Sequence, residues 1–384
     1  MDNPKKNDIT NEILDKKTKR SGSYDNELIK DNNNTNNIQI NLKYIKTLDD
    51  HAFTTDSYIY KNKFCIFKSI NEIFYIIYIY GNYSIISYNL ITFQKVSEIK
   101  KAHDSKISFL RYYLDRNIPR DIIMSIACSD KNIKLWDIKN CQCIHNFWDF
   151  DYYNSIKSSC FINKSNQICI GVDNRFANDN IIIYDFSGRT IKTIQNSDNI
   201  ISIENYFDEK LCKNYIIIGC KEKNIYDNIG FKNGHIISYD YDTGKKYHKY
   251  NGSYKHPDII INTIGEKTLL IGASESNIKI WDFHSAKLLN IIKTISEDSF
   301  KNIFILNDNF LLSIIGSRYL DNKIKLIDIN KEEIVFDLIN GLNLEPSEKY
   351  HFKCIDIIEK INHPVLGECL ISQSSLGYLI LWKM

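Results

Sequence analysis

The chain has 384 residues, of which 43% are hydrophobic, 25% charged and 12% aromatic. This composition supplies enough apolar material for a large core and excludes a wholly disordered protein. Forty-nine Lys and Arg residues against 47 Asp and Glu residues give a net charge of +2, which excludes nucleic-acid binding through bulk positive charge.

The N-terminal segment is polar. Residues 1–37 are rich in Asn, Lys and Asp and contain only isolated Ile and Leu residues. Such a segment buries too little apolar surface to offset its ordering entropy, so we predict a disordered tail over 1–37. The tail contains no apolar run typical of a secretion signal. Its basic cluster, formed by Lys16, Lys17, Lys19 and Arg20, fits either a nuclear-import signal or a solvated charge run. We expect a cytoplasmic or nuclear protein that is not secreted.

From residue 38 onward, short runs of Ile, Tyr, Phe and Val alternate with clusters of Asn, Asp, Gly and Lys. This pattern predicts strands and turns, and no long stretch shows a helical period. The longest apolar run, 73–80, is far shorter than the roughly 20 residues of a membrane-spanning helix, so we expect no membrane insertion. The ten cysteines lack the paired short spacings of a zinc site, and we expect no metal and no cofactor.

A recurrent phrase divides this part of the chain. It reads SDKNIKLWDI at 129–138, SESNIKIWDF at 274–283 and LDNKIKLIDI at 320–329, with weaker copies elsewhere. Aligning the copies gives one column of seven residues, here named the Trp column. Its members are Tyr88, Trp136, Tyr184, Tyr239, Trp281, Ile327 and Trp382, separated by intervals of 42 to 55 residues. The spacing predicts seven repeats.

A period of about 40–45 residues with a Trp-Asp dipeptide is typical of the WD-repeat family, in which four strands form one propeller blade. Over 38–384 the chain resembles this transducin beta-like family, most clearly at Trp136-Asp137 and Trp281-Asp282. The resemblance implies an all-β, seven-bladed β-propeller of four-stranded antiparallel blades. Since one blade alone leaves both faces apolar, the blades are expected to stack into a closed ring.

The ends of the predicted domain suggest how the ring closes. Trp382 stands two residues from the end of the sequence, so the seventh repeat lacks residues for its fourth, outermost strand. Residues 41–48 alternate apolar and polar side chains ahead of the first repeat. We predict that this segment completes blade seven, as the WD-repeat family closes its ring, and we assign 38–384 to the propeller.

Two repeats carry polar residues that the resemblance places in a buried hydrogen-bond network with the strand tryptophan and a Ser or Thr. They are His103, Asp130 and Trp136 in the second repeat, and His256, Glu275 and Trp281 in the fifth. A His and an Asp that meet also permit a catalytic interpretation. We favour the structural one, because desolvated polar groups need partners.

The sequence contains no hydrolase elbow, phosphate loop, metalloprotease helix or kinase motif set. We therefore predict that the protein is not an enzyme and has no catalytic residues. The alternative is an active site in the central channel, where residues from different blades converge without a local sequence signature.

Two predicted loops, 172–178 and 221–232, exceed the tight turns of the other repeats. Aromatic and Arg side chains are typical of protein-interface hot spots. On that basis the predicted docking surface consists of Arg175, Phe176, Tyr226, Phe231, Arg318 and Tyr319. The alternative is that these loops fold back and bury their own aromatic side chains.

The leading functional hypothesis is a non-catalytic scaffold, a monomer that docks peptides or proteins within a larger hetero-complex. One alternative is a substrate receptor of a cullin-type ubiquitin ligase. Such receptors often carry the motif Trp-Asp-x-Arg, and in this chain the position of the Arg is occupied by Lys139 in the second repeat and by His284 in the fifth. Another is an RNA-linked factor, for example in ribosome assembly, although we expect no direct nucleic-acid binding at this net charge. A phosphoinositide-binding propeller is disfavoured, because no two arginines are adjacent.

Overall fold

The computed structural model describes thirteen segments, all of which belong to one compact unit, Ile40–Met384. They are 43–49, 64–115, 117–127, 132–147, 154–174, 179–221, 234–252, 258–274, 277–293, 299–316, 322–337, 355–374 and 378–384. Seven four-stranded antiparallel sheets occupy these segments, and no helix occurs among them. The predicted all-β, seven-bladed propeller is confirmed. The tail predicted at 1–37 lies outside the described residues.

The first strand in chain order, β1, runs Lys43–Asp49. Blade one contains β2 Phe64–Lys68, β3 Phe74–Tyr80, β4 Ser84–Asn89 and β5 Lys95–Ile99. Blade two contains β6 Ile107–Asp115, β7 Arg120–Ala127, β8 Asn132–Asp137 and β9 Gln142–Phe147. Blade three contains β10 Asn154–Ile162, β11 Gln167–Asn174, β12 Asp179–Asp185 and β13 Thr190–Asn196.

Blade four contains β14 Asn199–Asp208, β15 Lys213–Lys221, β16 Gly234–Asp240 and β17 Lys246–Asn251. Blade five contains β18 Asp258–Ile264, β19 Lys267–Ser274, β20 Asn277–Asp282 and β21 Leu288–Lys293. Blade six contains β22 Ser299–Asn307, β23 Phe310–Gly316, β24 Lys323–Asp328 and β25 Glu333–Asp337. Blade seven contains β26 Ile355–His363, β27 Gly367–Ser374, β28 Leu379–Lys383 and, on its outer edge, β1.

The first strands of the blades surround the propeller axis. From β2 through β26, each first strand contacts the first strand of the next blade, so these strands line the central channel. Seven apolar clusters, one at each junction, form the core between the blades. One of them joins Ile371 of blade seven to Ile76 of blade one and includes Leu48 of β1. The core therefore continues across the junction where the two ends of the domain meet.

The Trp column lies in the third strands, opposite a β-bulge in each outer strand. The bulge adds one unpaired residue to the outer strand, which strengthens its twist. In six blades that extra residue is aliphatic, and in blade four it is a tyrosine. The seven bulged residues are Ile45, Val96, Ile144, Ile191, Tyr247, Leu289 and Val335.

The strand β1 has the same register as the outer strands that follow their own blades directly in sequence. Tyr44 pairs with Trp382 and Lys46 pairs with Leu381, which leaves Ile45 as the bulged residue. The strand runs Lys43–Asp49, so it begins two residues later and ends one residue later than the segment 41–48 expected from the sequence. Blade seven thus has four strands, although its outermost one comes from the N-terminal side of blade one.

The residue after each Trp-column position closes the turn to the outer strand in blades one to six. Its side-chain oxygen accepts a backbone N–H from within the turn, the hydrogen bond that favours Asp and Asn there. The acceptors are Asn89, Asp137, Asp185, Asp240, Asp282 and Asp328, at 2.8 to 3.1 Å. This turn explains the Asp of the Trp-Asp dipeptide.

Polar contacts also connect every pair of neighbouring blades. In order from the first junction, they are Ser69–Asp121, Tyr113–Ser165, Asn163–Asn205, Tyr206–Thr268, Asn290–Ile329, Lys360–Leu306 and His363–Leu90. At the closing junction, His363 Nδ1 accepts the N–H groups of Val365 and Leu366, and Nε2 donates to Leu90 O at 2.9 Å. The closing junction is therefore held by the same kinds of contact as the others.

Deleting residues 1–49 removes β1, which exposes the pairing edge of β28 and the apolar surface that Leu48 covers. We expect this truncated protein to lose its cooperative unfolding transition in calorimetry. Deleting residues 1–36 leaves β1 in place and serves as the control, for which we expect a melting temperature close to that of the full chain. Equal melting temperatures for both truncations would contradict the role of β1 in closure.

Candidate functional site

A continuous set of hydrogen bonds joins His103, Ser125 and Trp136 within blade two and the loop before it. Ser125 Oγ lies 2.7 Å from His103 Nε2 and accepts the indole N–H of Trp136, also at 2.7 Å. Ser125 is completely buried and His103 is 1% exposed. The structure thus brings together two of the three residues expected in this network. It also identifies the serine, which the sequence left unassigned.

A serine hydroxyl within hydrogen-bond distance of a histidine ring is the arrangement that activates nucleophiles in hydrolases. Here the surroundings do not suit that chemistry. Because Ser125 is completely buried and its oxygen already holds two ring nitrogens, a substrate has no approach to it. The arrangement satisfies buried polar groups, which is a structural role.

The other tryptophans of the Trp column have different contacts in blades five and seven. In blade seven, Trp382 donates its indole N–H to Ser372 Oγ at 2.6 Å, which repeats the Trp136–Ser125 bond. In blade five the equivalent of Ser125 is Gly272, which has no hydroxyl, and Trp281 packs edge-on against Tyr250 with ring centroids 6.0 Å apart. The remaining candidates, Asp130, His256 and Glu275, lie outside the described residues.

The predicted docking surface also lies outside the described residues, since none of its six members falls within the described ranges. These members are Arg175, Phe176, Tyr226, Phe231, Arg318 and Tyr319. The expected start of the blade-three loop at residue 172 is wrong, because β11 continues to Asn174, which still pairs with Asn154 of β10. Likewise Lys221 belongs to β15, where it pairs with Asn199. The docking surface stays a prediction.

The described part of the channel contains a set of residues that sequence reasoning missed. In each blade, the Trp-column residue pairs with a residue of the second strand. The next residue of that second strand pairs with a residue of the first strand, and this first-strand residue occupies an equivalent position in all seven blades. We name this set the channel ring. Its members, from blade one to blade seven, are Cys65, Arg111, Cys160, Glu204, Ile260, Phe304 and Glu359.

Arg111 forms an ion pair across the ring. Its Nη2 atom donates to Glu204 Oε1 at 2.7 Å, which connects blade two to blade four past blade three. The side chains of Arg111 and Glu204 are 20% and 26% exposed, so the pair is only partly shielded from solvent. A partly exposed ion pair contributes modestly to stability, about 1 kcal/mol or less. Its clearer effect is to fix where the guanidinium lies in the channel.

Glu359 is the second carboxylate of the channel ring and makes no hydrogen bond or ion pair with another described residue. The side chain is exposed to the channel. Desolvation by the surrounding inner strands raises the pKa of Glu359 to about 7, and the positive charge of Arg111 opposes this rise. Glu359 can therefore gain or lose a proton near neutral pH.

The ring cysteine Cys65 does not have the lowered thiol pKa of a cysteine-enzyme nucleophile. Burial, reinforced by the negative charge of Glu359, raises the pKa of the Cys65 thiol far above its usual value. Cys160 is buried beside Cys169 of β11, whose own pKa is raised by burial. Among the described residues, no group of three or more His, Cys, Asp or Glu side chains could hold a metal ion. No helix in the described segments could cross a membrane.

Replacing Ser125 with Ala should remove the acceptor of the Trp136 indole and the partner of His103 Nε2. We expect a loss of about 2–3 kcal/mol in the free energy of unfolding, because buried polar atoms are left without this hydroxyl. Urea unfolding followed by Trp fluorescence measures the change.

Ser313→Ala is the matched control for Ser125→Ala. Ser313 is equally buried and holds the same position in blade six, but its hydroxyl donates only to backbone carbonyl groups. We expect a loss of about 1 kcal/mol or less for this variant. Equal losses for both serines would contradict the special role of Ser125.

Glu359→Gln should change how stability depends on pH. The pKa of Glu359 is about 7 in the fold against an ordinary 4.5, so the native state favours the neutral carboxyl. That contribution is fully present below pH 4.5 and is lost as the pH rises through 7. We expect the variant and the wild type to unfold alike near pH 4.5, and the variant to be more stable at pH 8 by about 1 kcal/mol, allowing for solvent screening.

Urea unfolding at both pH values measures this difference. A difference that does not change with pH would contradict the assigned ionisation of Glu359.

No protein-family model and no curated protein matches this chain.

Proposed function

We propose that this protein is a non-catalytic, WD-repeat-type propeller that docks peptides or proteins within a larger complex. The observation that carries the proposal is that the described residues which could take part in catalysis are buried, paired with one another or protonated. His103 and Ser125 are sealed from solvent, Arg111 and Glu204 neutralise one another, and the Cys65 thiol is protonated. By contrast, the fold supplies a rigid ring with polar contacts at each junction, which suits a platform that presents binding residues.

The WD-repeat assignment is supported by residues in three blades. The bond from the Trp136 indole to Ser125 recurs from Trp382 to Ser372, at equivalent positions of blades two and seven. The Asp that follows the tryptophan caps the next turn in blades two and five. These contacts give the Trp-Asp dipeptide a physical reason in this chain.

For the docking surface we retain the six aromatic and Arg positions on the longer loops of blades three, four and six. Side chains of these types supply large contact areas and bidentate hydrogen bonds at interfaces. The positions are Arg175, Phe176, Tyr226, Phe231, Arg318 and Tyr319.

One observation weighs against the ubiquitin-ligase alternative. In this chain His284 stands where the ligase receptors carry Arg, and its Nε2 lies 3.1 Å from Asp208 of the neighbouring blade. Its Nδ1 lies 3.3 Å from the Tyr247 hydroxyl. Since both ring nitrogens of His284 contact side chains of this chain, His284 is poorly placed to replace an Arg that binds a partner. Lys139, the other equivalent residue, is exposed but lacks the planar guanidinium fork.

Affinity purification with mass spectrometry tests the proposal. The wild type is compared with a variant in which 222–232 is replaced by a four-residue turn. A variant in which the short segment 375–377 is extended by Gly and Ser serves as the control. We expect the wild type and the control to recover a common set of proteins that the loop variant loses. Recovery of the same proteins by all three contradicts the docking surface, and recovery of RNA or lipid without protein contradicts the scaffold function.

A further inference from the structure

The outer strand of blade five has an unpaired edge. The strand β21 is the last of the four strands in its sheet, so the backbone N–H and C=O groups on its outer side face no further strand among the described residues. Such an edge can accept a strand from another chain, and natural sheets often prevent this by placing charged side chains along it.

The outer strands of other blades carry such charges. A charged residue lies inside each of β5, β13 and β17, namely Glu98, Lys192 and Lys249. In β21, residues 288–292 are all uncharged. Their only polar side chain, Asn290, is directed towards blade six, where it donates to a backbone carbonyl oxygen at 3.2 Å. The edge of β21 therefore lacks the charges that the other three strands have.

The side chains along this edge are aliphatic and exposed to solvent. Leu288, Leu289 and Ile291 are 38 to 40% exposed, whereas β5, β13 and β25 each expose one large aliphatic side chain. A single exposed aliphatic residue is ordinary on a protein surface. Three of them within four residues of an unpaired strand are typical of an interaction site.

A lysine stands at each end of the aliphatic run. Lys287 immediately precedes β21 and Lys293 is its last residue. Both are exposed, and neither ammonium group forms an ion pair or hydrogen bond with another described residue. An added strand with an acidic residue at each end would place one carboxylate near each lysine. Aliphatic side chains between those ends would cover Leu289 and Ile291 as cross-strand neighbours.

A second copy of this chain does not match the edge of β21. If two β21 strands paired antiparallel over the whole aliphatic run, Asn290 would lie opposite Asn290 of the other copy. In that register Lys287 of each copy would lie opposite Lys293 of the other. Like charges directly opposite one another destabilise a strand pair. The charges therefore favour a different chain, one that carries acidic residues.

We propose that the edge of β21 binds an extended segment of a partner protein as a fifth strand of blade five. The segment carries aliphatic residues at alternate positions and an acidic residue at each end, and these acidic residues pair with Lys287 and Lys293. The residues of this edge are different from those of the predicted docking surface on the loops, so the function proposed above does not depend on them.

The test measures the binding of fluorescein-labelled peptides to the full chain by fluorescence polarisation. The probe is Glu-Val-Thr-Val-Thr-Val-Glu, here named the Glu peptide, and the Lys peptide has Lys in place of both Glu residues. We expect the Glu peptide to bind about tenfold more tightly at low salt, because two charge attractions replace two repulsions, and the difference to shrink at high salt. No binding of the Glu peptide overturns the proposal.

Two further measurements establish whether the peptide binds as a strand of blade five. N-methylation of all central residues of the Glu peptide removes their backbone donors and should abolish binding. Hydrogen exchange followed by mass spectrometry should show slower exchange of the N–H groups of 288–293 when the Glu peptide is bound, and no change in β13. Undiminished binding of the N-methylated peptide, or slower exchange in β13 instead of β21, overturns the proposal.

Ile291→Glu places an acidic residue on the edge of β21, and Ile191→Glu is its matched control. Ile191 of β13 is 38% exposed, against 39% for Ile291. Because both side chains are exposed, we expect both variants to keep a melting temperature close to that of the wild type. We expect Ile291→Glu to bind the Glu peptide at least about tenfold more weakly and Ile191→Glu to bind it like the wild type. Equal binding by all three proteins overturns the proposal.

Exchanging the charges tests the contacts at the two ends. In the double variant Lys287→Glu with Lys293→Glu, both lysines of the edge become acidic. We expect this variant to prefer the Lys peptide over the Glu peptide, which reverses the preference of the wild type. An unchanged preference for the Glu peptide would overturn the part assigned to the two lysines.

Sedimentation of the chain without peptide distinguishes a partner from a second copy. We expect the wild type to sediment as a monomer, because β21 paired with itself would bring lysines opposite lysines. A dimer that is present in the wild type and in Ile191→Glu but absent in Ile291→Glu would mean that a second copy occupies the edge. That result would overturn the assignment of the edge to a different, acidic chain.

Discussion

The pairing of β1 with β28 joins the two ends of the propeller, and the rest of the ring depends on that junction. Each blade has two apolar faces, and each face is covered only by a neighbouring blade. Without β1, blade seven would lose its outer strand, and Leu48 would leave the cluster that it shares with Ile76 and Ile371. The channel ring requires the same closure, because Glu359 comes from the last blade and Arg111 from the second.

The Trp column shows how one position in a repeat can be stabilised in different ways. In blade two the column residue is Trp136, which bonds to a serine of its own blade. In blade four it is Tyr239, whose hydroxyl donates to Asn196 of the preceding blade at 3.1 Å. In blade six Ile327 has no polar group and is completely buried in the core. The strand geometry is common to all three, while the side chains fill the same volume with different chemistry.

The repeat pattern explains why the fold could be predicted from the sequence. The Trp column gives both the number of blades and the place of the third strand in each, since its residues recur at similar intervals. The alternation in 41–48 marks a strand close to the observed Lys43–Asp49. Predicted loop limits were less accurate, because Asp173 and Asn174 are polar residues that nevertheless continue the pairing of β11 with β10.

The channel ring could not be predicted in the same way. Arg111 and Glu204 are 93 residues apart and lie on blades that are not adjacent, so no local spacing signals their contact. An alignment of the first strands would have placed Glu359 in the same row as Arg111. It would not have shown which carboxylate Arg111 binds, because that choice depends on side-chain reach across the axis.

The outer strand of blade seven has a consequence for how this chain could be rearranged. In blades one to six a short turn connects the third and fourth strands, whereas Trp382 and Tyr44 are paired without one. The register and the bulge are nevertheless the same, so the turn is dispensable for placing an outer strand. A circular permutant could therefore begin at the outer strand of another blade, with a short linker from Met384 to Lys43 supplying the missing turn. The seven positions between third and fourth strands are thus equivalent places for the chain to start.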